Sequence, residues 1–271
     1  MLRHNILFIC EYKVEEEQGG VQRVTSILSN YFLSEDIKVY CLFFRFNKNS
    51  KSKIKSNEYK LISDDILDVK NISLINDVTQ KNEIDIIINQ MGFNHNILKA
   101  IIKSDFKKQV FSCLHSDPLF ELKYAKIELY NKINLKNTLY KNVKIIFKTF
   151  YLFFLKMRVS KKIKFIYKNS TKVILLANQF KSSIKKIHSQ ALESKSVIIP
   201  NPVDPKFGAN RKNIFNCNEI LYVGRLNRGK RVDLILHIWK KIQLKYPDWK
   251  LTIVGDGPER IKLEKIANSN I

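Results

Sequence analysis

The sequence predicts an α/β chain made of two doubly wound, parallel-sheet domains, the second incomplete. Short apolar runs rich in Ile and Val alternate with helix-patterned segments from one end to the other. Several of these runs are apolar throughout, as expected of parallel strands covered on both faces. Three prolines fall within residues 199–205, followed by a polar stretch and a new strand-like run, which reads as a linker. Strand–helix–strand repetition of this kind winds right-handed and places ligands at the C-terminal ends of the strands.

The first strand is expected over 5–10, where Ile6 to Cys10 are all apolar. That run is too short for the apolar region of a signal peptide. Gly19-Gly20 then opens the amphipathic pattern of 21–33. Strands follow at 37–44, 84–89 and 108–114, with a helix over 94–102 between the last two. A basic, aromatic stretch at 140–165 leads to strands at 171–176 and 195–199. The first domain is therefore expected to span 1–196 and the second 197–271. In the second, strands at 219–223 and 250–254 flank a helix over 231–244. Its Val232, Ile235, Leu236, Trp239 and Ile242 fall on one stripe. Two strand–helix units are fewer than a doubly wound domain needs, so this domain is expected to be cut short.

Glycine and proline are scarce, which excludes collagen-like and linker-rich architectures. Cys10, Cys41, Cys113 and Cys217 lie far apart without metal-ligand spacing, as buried reduced thiols of a cytoplasmic protein would. The formal net charge is +23, and thirteen Lys and Arg oppose only Glu121 and Glu128 between residues 121 and 168. A genome rich in A and T would raise lysine everywhere, but it does not account for this local cluster. Within 140–165, Phe147, Phe150, Tyr151, Phe153 and Phe154 mix with Lys148, Lys156, Arg158, Lys161, Lys162 and Lys164. The stretch is too short in its apolar run to span a bilayer. It is expected to lie on an anionic membrane surface, against the alternative of a helix packed on the first domain. Nucleic acid is not an expected partner, since no recognition module accompanies the charge.

The residues that carry chemistry cluster in the second domain. A strand ending at Gly224 lets backbone approach a ligand. Arg225 follows at once, and Lys230 is expected to open the next helix. Two cations beside helix N–H groups suit a diphosphate. A second strand ends in Gly255-Asp256-Gly257-Pro258, a tight turn into a helix.

The run from Ile220 to Asp233, taken with Leu251 to Pro258, resembles the family 4 glycosyltransferases, whose GT-B fold has two facing Rossmann-like domains. Nearly the whole chain can be laid on that pattern. Gly19-Gly20-Val21-Gln22-Arg23 looks like the family's Gly-Gly loop over the donor phosphates. His115-Ser116-Asp117-Pro118 resembles its active-site His loop, and Asn201-Pro202-Val203-Asp204 its Asn-Gly-Val-Asp segment, with Pro202 in place of Gly. The resemblance implies a retaining transferase that moves a sugar from a nucleotide sugar, UDP- or GDP-linked, to a glycan or lipid-linked acceptor in bacterial cell-surface polysaccharide synthesis. It implies catalytic roles for His115, Arg225 and Lys230. Donor contacts would come from Gly19, Gly20, Arg23, Asn201, Gly224, Arg225, Lys230 and Gly255. No cofactor is implied, and without an Asp-x-Asp no metal is expected; the two cations would stabilise the leaving diphosphate. The family's Glu-x7-Glu motif does not occur before Ile271, and Glu259 and Glu264 do not replace it. An inactive remnant or acceptor-binding scaffold is the alternative, and a basic polyanion-binding protein a further one.

Overall fold

The computed structural model describes residues 4–15, 19–46, 55–131, 138–187, 194–203 and 218–268, apart from the side chains of 127–131 and 138–146. Asp204, Cys217 and the polar linker stretch between them lie outside the described residues, as do the side chains of Lys141, Lys144, Ile145 and Ile146. Internal contacts divide the chain into Met1–Asp204 and Pro205–Ile271.

The N-terminal unit is built on a seven-stranded, all-parallel sheet. Its strands are β1 (Asn5–Tyr12), β2 (Lys38–Arg45), β3 (Glu58–Lys60), β4 (Ile86–Asn89), β5 (Gln109–Leu114), β6 (Lys172–Leu175) and β7 (Ser196–Ile198). They lie side by side in the order β3-β2-β1-β4-β5-β6-β7. The order reverses at β1, which pairs on one side with β2 and on the other with β4, so that Ile6 stands opposite both Val39 and Ile86. β7 pairs with β6 through Val173 and Ser196, which carries the unit beyond Ser196, where the sequence placed its end.

Period-two alternation sorts β1 onto two cores. Leu7 and Ile9 face the larger one, with Ile75 and Val78 of α2 (Val69–Lys81), Ile97 and Ile101 of α3 (His95–Lys103), and Ile184 of α6 (Asn178–Lys185). Ile6, Phe8 and Cys10 face the smaller one, with Leu28 and Phe32 of α1 (Gly20–Ser34) packed against it. Cys10, Cys41 and Cys113 are buried free thiols; burial, with Glu58 adding to it, pushes Cys41 up to about 12, and burial does the same for Cys113.

Between β5 and β6 come α4 (Phe120–Asn131) and the long α5 (Thr138–Asn169). The end of α5 buries Val159, Ile163, Ile166 and Tyr167 in the larger core, at helical spacing. On the opposite side the helix is apolar again: Phe147, Phe150, Phe153, Phe154 and Met157 are all exposed. α5 therefore carries two apolar sides, where the sequence suggested one. No helix among the described residues is long and apolar enough to cross a membrane.

The C-terminal unit pairs β8 (Glu219–Val223) with β9 (Lys250–Val254) in parallel, and carries α7 (Val232–Ile242) and α8 (Arg260–Asn268). Leu226, Val232, Leu236 and Leu263 form its core, with Leu251 and Ile253 against them. The expectation that β8 is a buried strand is corrected: Leu221 is 61% and Val223 69% exposed. Two described strands leave the far side of this sheet open.

Candidate functional site

In the N-terminal unit the sequence-derived residues sit at the C-terminal ends of neighbouring strands. β1 leads to Gly19 and Gly20, β4 ends at Asn89, and β5 delivers His115; these three strands are consecutive in the sheet. This is the switch point where α/β sheets bind ligands.

Gly19 has φ of 141°, a left-handed region that disfavours a side chain, and it is the residue from which α1 starts. No side chain caps α1 there, and its first turn holds no acidic residue. Its leading N–H groups carry the positive end of the helix dipole, a setting for phosphate. Gly20 is exposed, and a Cβ built on it would meet nothing within 4 Å. Ligand can therefore reach the backbone at Gly20. Arg23 lies exposed on the first turn, its N–H donating to the Gly19 carbonyl at 2.9 Å.

His115 is partly buried, and desolvation holds its pKa below the ordinary imidazole value. Its Nε2 lies 2.7 Å from Oε1 of Gln90, a buried residue directly after β4. Two residues on, Asp117 fixes the loop. Its Oδ1 accepts from the Leu119 N–H at 2.7 Å, and its Oδ2 accepts from Ser183 at 3.0 Å and from the Lys123 ammonium. Partial burial would raise the Asp117 pKa, but these three hydrogen bonds together hold it below the usual carboxylate range. Gln90 was not found from the sequence. The available signal was the abrupt change from Ile86-Ile87-Ile88 to Asn89-Gln90 at the end of an apolar run.

Asn201 is exposed just past β7, with Pro202 and Val203 following; Asp204 is outside the described residues. A cavity of roughly 650 Å³ lined by Asn5, Thr79, Asp85, Phe106 and Lys108 lies at the N-terminal ends of the strands. That is the wrong edge of the sheet for a switch-point site, and none of the sequence-derived residues borders it.

In the C-terminal unit, Gly224, Arg225, Lys230 and Gly255 belong to one loop cluster beyond β8 and β9. Backbone hydrogen bonds stitch the two exits together: Gly224 N to Val254 O at 3.0 Å, and Leu226 N to Asp256 O at 2.9 Å. A Cβ on Gly255 would fall 1.9 Å from the Gly224 carbonyl oxygen, so only glycine lets the exits close. Arg225 and Lys230 are both exposed here. Lys230 does not open α7, as the sequence suggested. It ends a short 3-10 turn over Arg228–Lys230, and Arg231, at φ 52°, separates it from Val232. The Asn227 side chain supplies the cap, accepting from Lys230 N at 3.1 Å.

The model of the glycosyl transferases group 1 family matches residues 210–270, which include this whole cluster. Over that segment the chain is similar to the family. An uncharacterized glycosyltransferase of Haemophilus influenzae is 38% identical over 74 residues, which is 27% of this chain and 20% of the relative. The amylovoran biosynthesis glycosyltransferase AmsD of Erwinia amylovora is 34% identical over 109 residues, 38% of this chain and 29% of the relative. This chain thus matches less than a third of either relative's length. Among solved structures, S. aureus TarM in complex with UDP aligns with 98% of this chain and 75% of its own, at a TM-score of 0.62 and 12% identity. The chain shares that α/β, GT-B-type fold.

Proposed function

We propose that this chain carries acceptor-side and donor-side elements of a retaining glycosyltransferase. The observation that carries the reading is the glycine-stitched loop cluster of Gly224, Arg225, Lys230 and Gly255 inside the group 1 segment. The closed strand exits hold two exposed cations, Arg225 and Lys230, in one loop cluster, where they neutralise a nucleoside diphosphate. Arg225 and Lys230 would stabilise charge that develops on the diphosphate as the glycosidic bond breaks. Within the N-terminal unit by itself, the Gly19-Gly20 loop offers N–H groups to an anionic ligand, and His115 orients a bound sugar. The donor is a UDP- or GDP-sugar. The acceptor is a glycan or lipid-linked sugar of a bacterial surface polysaccharide, in keeping with the named role of the Erwinia relative.

Calorimetric titration of the chain with UDP and with GDP tests the assignment. Arg225→Ala and Lys230→Ala should each weaken binding of the preferred diphosphate about tenfold to a hundredfold, the range for a hydrogen bond to a charged group. Equal affinity in wild type and both variants, or no binding of either diphosphate, overturns it.

α5 supports a membrane-peripheral setting on the cytoplasmic face. Its exposed Phe147, Phe150, Phe153 and Phe154 form an apolar patch on the side away from the core. Lys156, Arg158, Lys161 and Lys164 continue along the same helix. Aromatics entering the interface and cations held near anionic headgroups act together, at about 1 kcal/mol per basic residue. Sedimentation with vesicles containing phosphatidylglycerol should exceed that with phosphatidylcholine vesicles, fall at high salt, and drop in Phe150→Ser/Phe154→Ser. Equal binding to both lipids, or unchanged binding by the variant, removes the membrane role.

A further inference from the structure

We infer that Gln90 is a positioning residue that holds His115 as its Nε2–H tautomer and leaves Nδ1 as the ring's acceptor toward a ligand hydroxyl. The inference rests on the reading of His115 as part of a sugar site, but its first test does not.

A neutral imidazole has one donor and one acceptor, and the partner of one nitrogen decides the role of the other. The carboxamide oxygen of Gln90, 2.7 Å from Nε2, accepts, so the ring must donate there. Both residues stand on rigid supports. β4 and β5 are paired, with Asn89 opposite Ser112. The Gln90 backbone N–H donates to the Ile9 carbonyl at 3.0 Å, which ties it to β1 as well. Asn89 turns the chain at once, its Oδ1 accepting from Met91 N at 3.0 Å. Gln90 itself is 4% exposed and its Nε2 finds no hydrogen-bond partner among the described residues, so the His115 ring is the contact that sets which way the amide faces. Amide orientation and ring tautomer are locked together: a reversed amide would donate to Nε2 and force the proton onto Nδ1. Desolvation keeps the ring neutral near pH 7, and Asp117, the nearest acid in sequence, is engaged with Lys123 and Ser183.

The consequence is chemical. An Nδ1 acceptor can take a hydrogen bond from a sugar hydroxyl and fix its orientation, but a neutral ring of this tautomer offers that hydroxyl no proton. His115 would then discriminate ligands by a hydroxyl at the facing position.

Long-range ¹H–¹⁵N correlation spectra of the full chain at pH 7 read the tautomer directly. The His115→Gln spectrum identifies the ring among the five histidines. Wild type should show a pyrrole-like Nε2 and a pyridine-like Nδ1. Gln90→Glu should keep that tautomer and raise the ring's titration midpoint, because a carboxylate at the same place stabilises the imidazolium. Gln90→Leu should shift both nitrogens toward a tautomer mixture. An Nδ1–H ring in wild type overturns the inference, as does a Gln90→Leu protein, folded by circular dichroism, with unchanged ring shifts. If Gln90→Leu does not fold, Gln90→Glu decides alone: an unmoved midpoint overturns the inference. None of these spectra contains a nucleotide, so loss of UDP binding in calorimetry would count against the transferase reading separately.

Discussion

A Cβ placed on Gly92 would lie 2.3 Å from the carbonyl oxygen of Cys113, two residues before His115. The chain leaving β4 therefore presses backbone to backbone on the end of β5. Gly92→Ala has no flexible side chain to push aside and must move one strand exit. It should destabilise the chain by about 1–3 kcal/mol, the usual cost of overpacking, measurable by urea unfolding. In the same variant the His115 ring shifts should change, since the displaced exit carries Gln90. Residues of this kind differ in how openly the sequence displays them. His115 and Arg225 were legible because each is a polar or charged residue at the end of an apolar run. Gln90 was not, since its role exists only through a partner on another strand. Gly20 and Gly255 look alike as letters, yet one has open space above it and the other a carbonyl at contact. Only the three-dimensional backbone separates a glycine that admits a ligand from a glycine that admits a neighbouring strand.

β3 is a strand the sequence did not reveal. It has three residues, Glu58–Lys60, two of them charged, and so lacks the apolar run that marks a strand. Backbone pairing with β2 holds it, and Lys13 and Glu58 meet there at 3.2 Å, with side-chain exposures of 2% and 7%. Glu58 also accepts from Lys55 N at 2.8 Å, and Lys13 N donates to Arg45 O at 2.9 Å. This pair ties the exit of β1 to the sheet's edge before the chain turns toward Gly19. Glu58→Gln takes the carboxylate away from the buried Lys13 ammonium, so it should cost about 3–5 kcal/mol in denaturant unfolding. Lys13→Met combined with Glu58→Gln should recover much of that loss, because both buried charges are then removed together. A double variant no more stable than Glu58→Gln would show that the pair is not the source of the cost. α5 taught the opposite lesson. Its existence was plain in the sequence, but two apolar sides on one helix blur the single stripe by which a buried face is usually recognised. Burial of Val159, Ile163 and Ile166 settles which side faces the core.

At the scale of the molecule, the alternation of apolar runs and helices was enough to give the parallel sheet. The strand order was not legible. Which strands neighbour β1 depends on the hand of each crossover and on sheet twist, neither of which leaves a mark in local composition. The order has a consequence during synthesis. β1 leaves the ribosome well before β4, yet it ends up in the interior of the sheet, with Ile6 waiting for Ile86 before its second edge is satisfied. Pairings of such long sequence separation form slowly. Until β4 emerges, the nascent chain carries the uninterrupted Ile6-Leu7-Phe8-Ile9-Cys10 segment with one edge open. That segment is what a holding chaperone would grip, and its release would be timed by the arrival of β4.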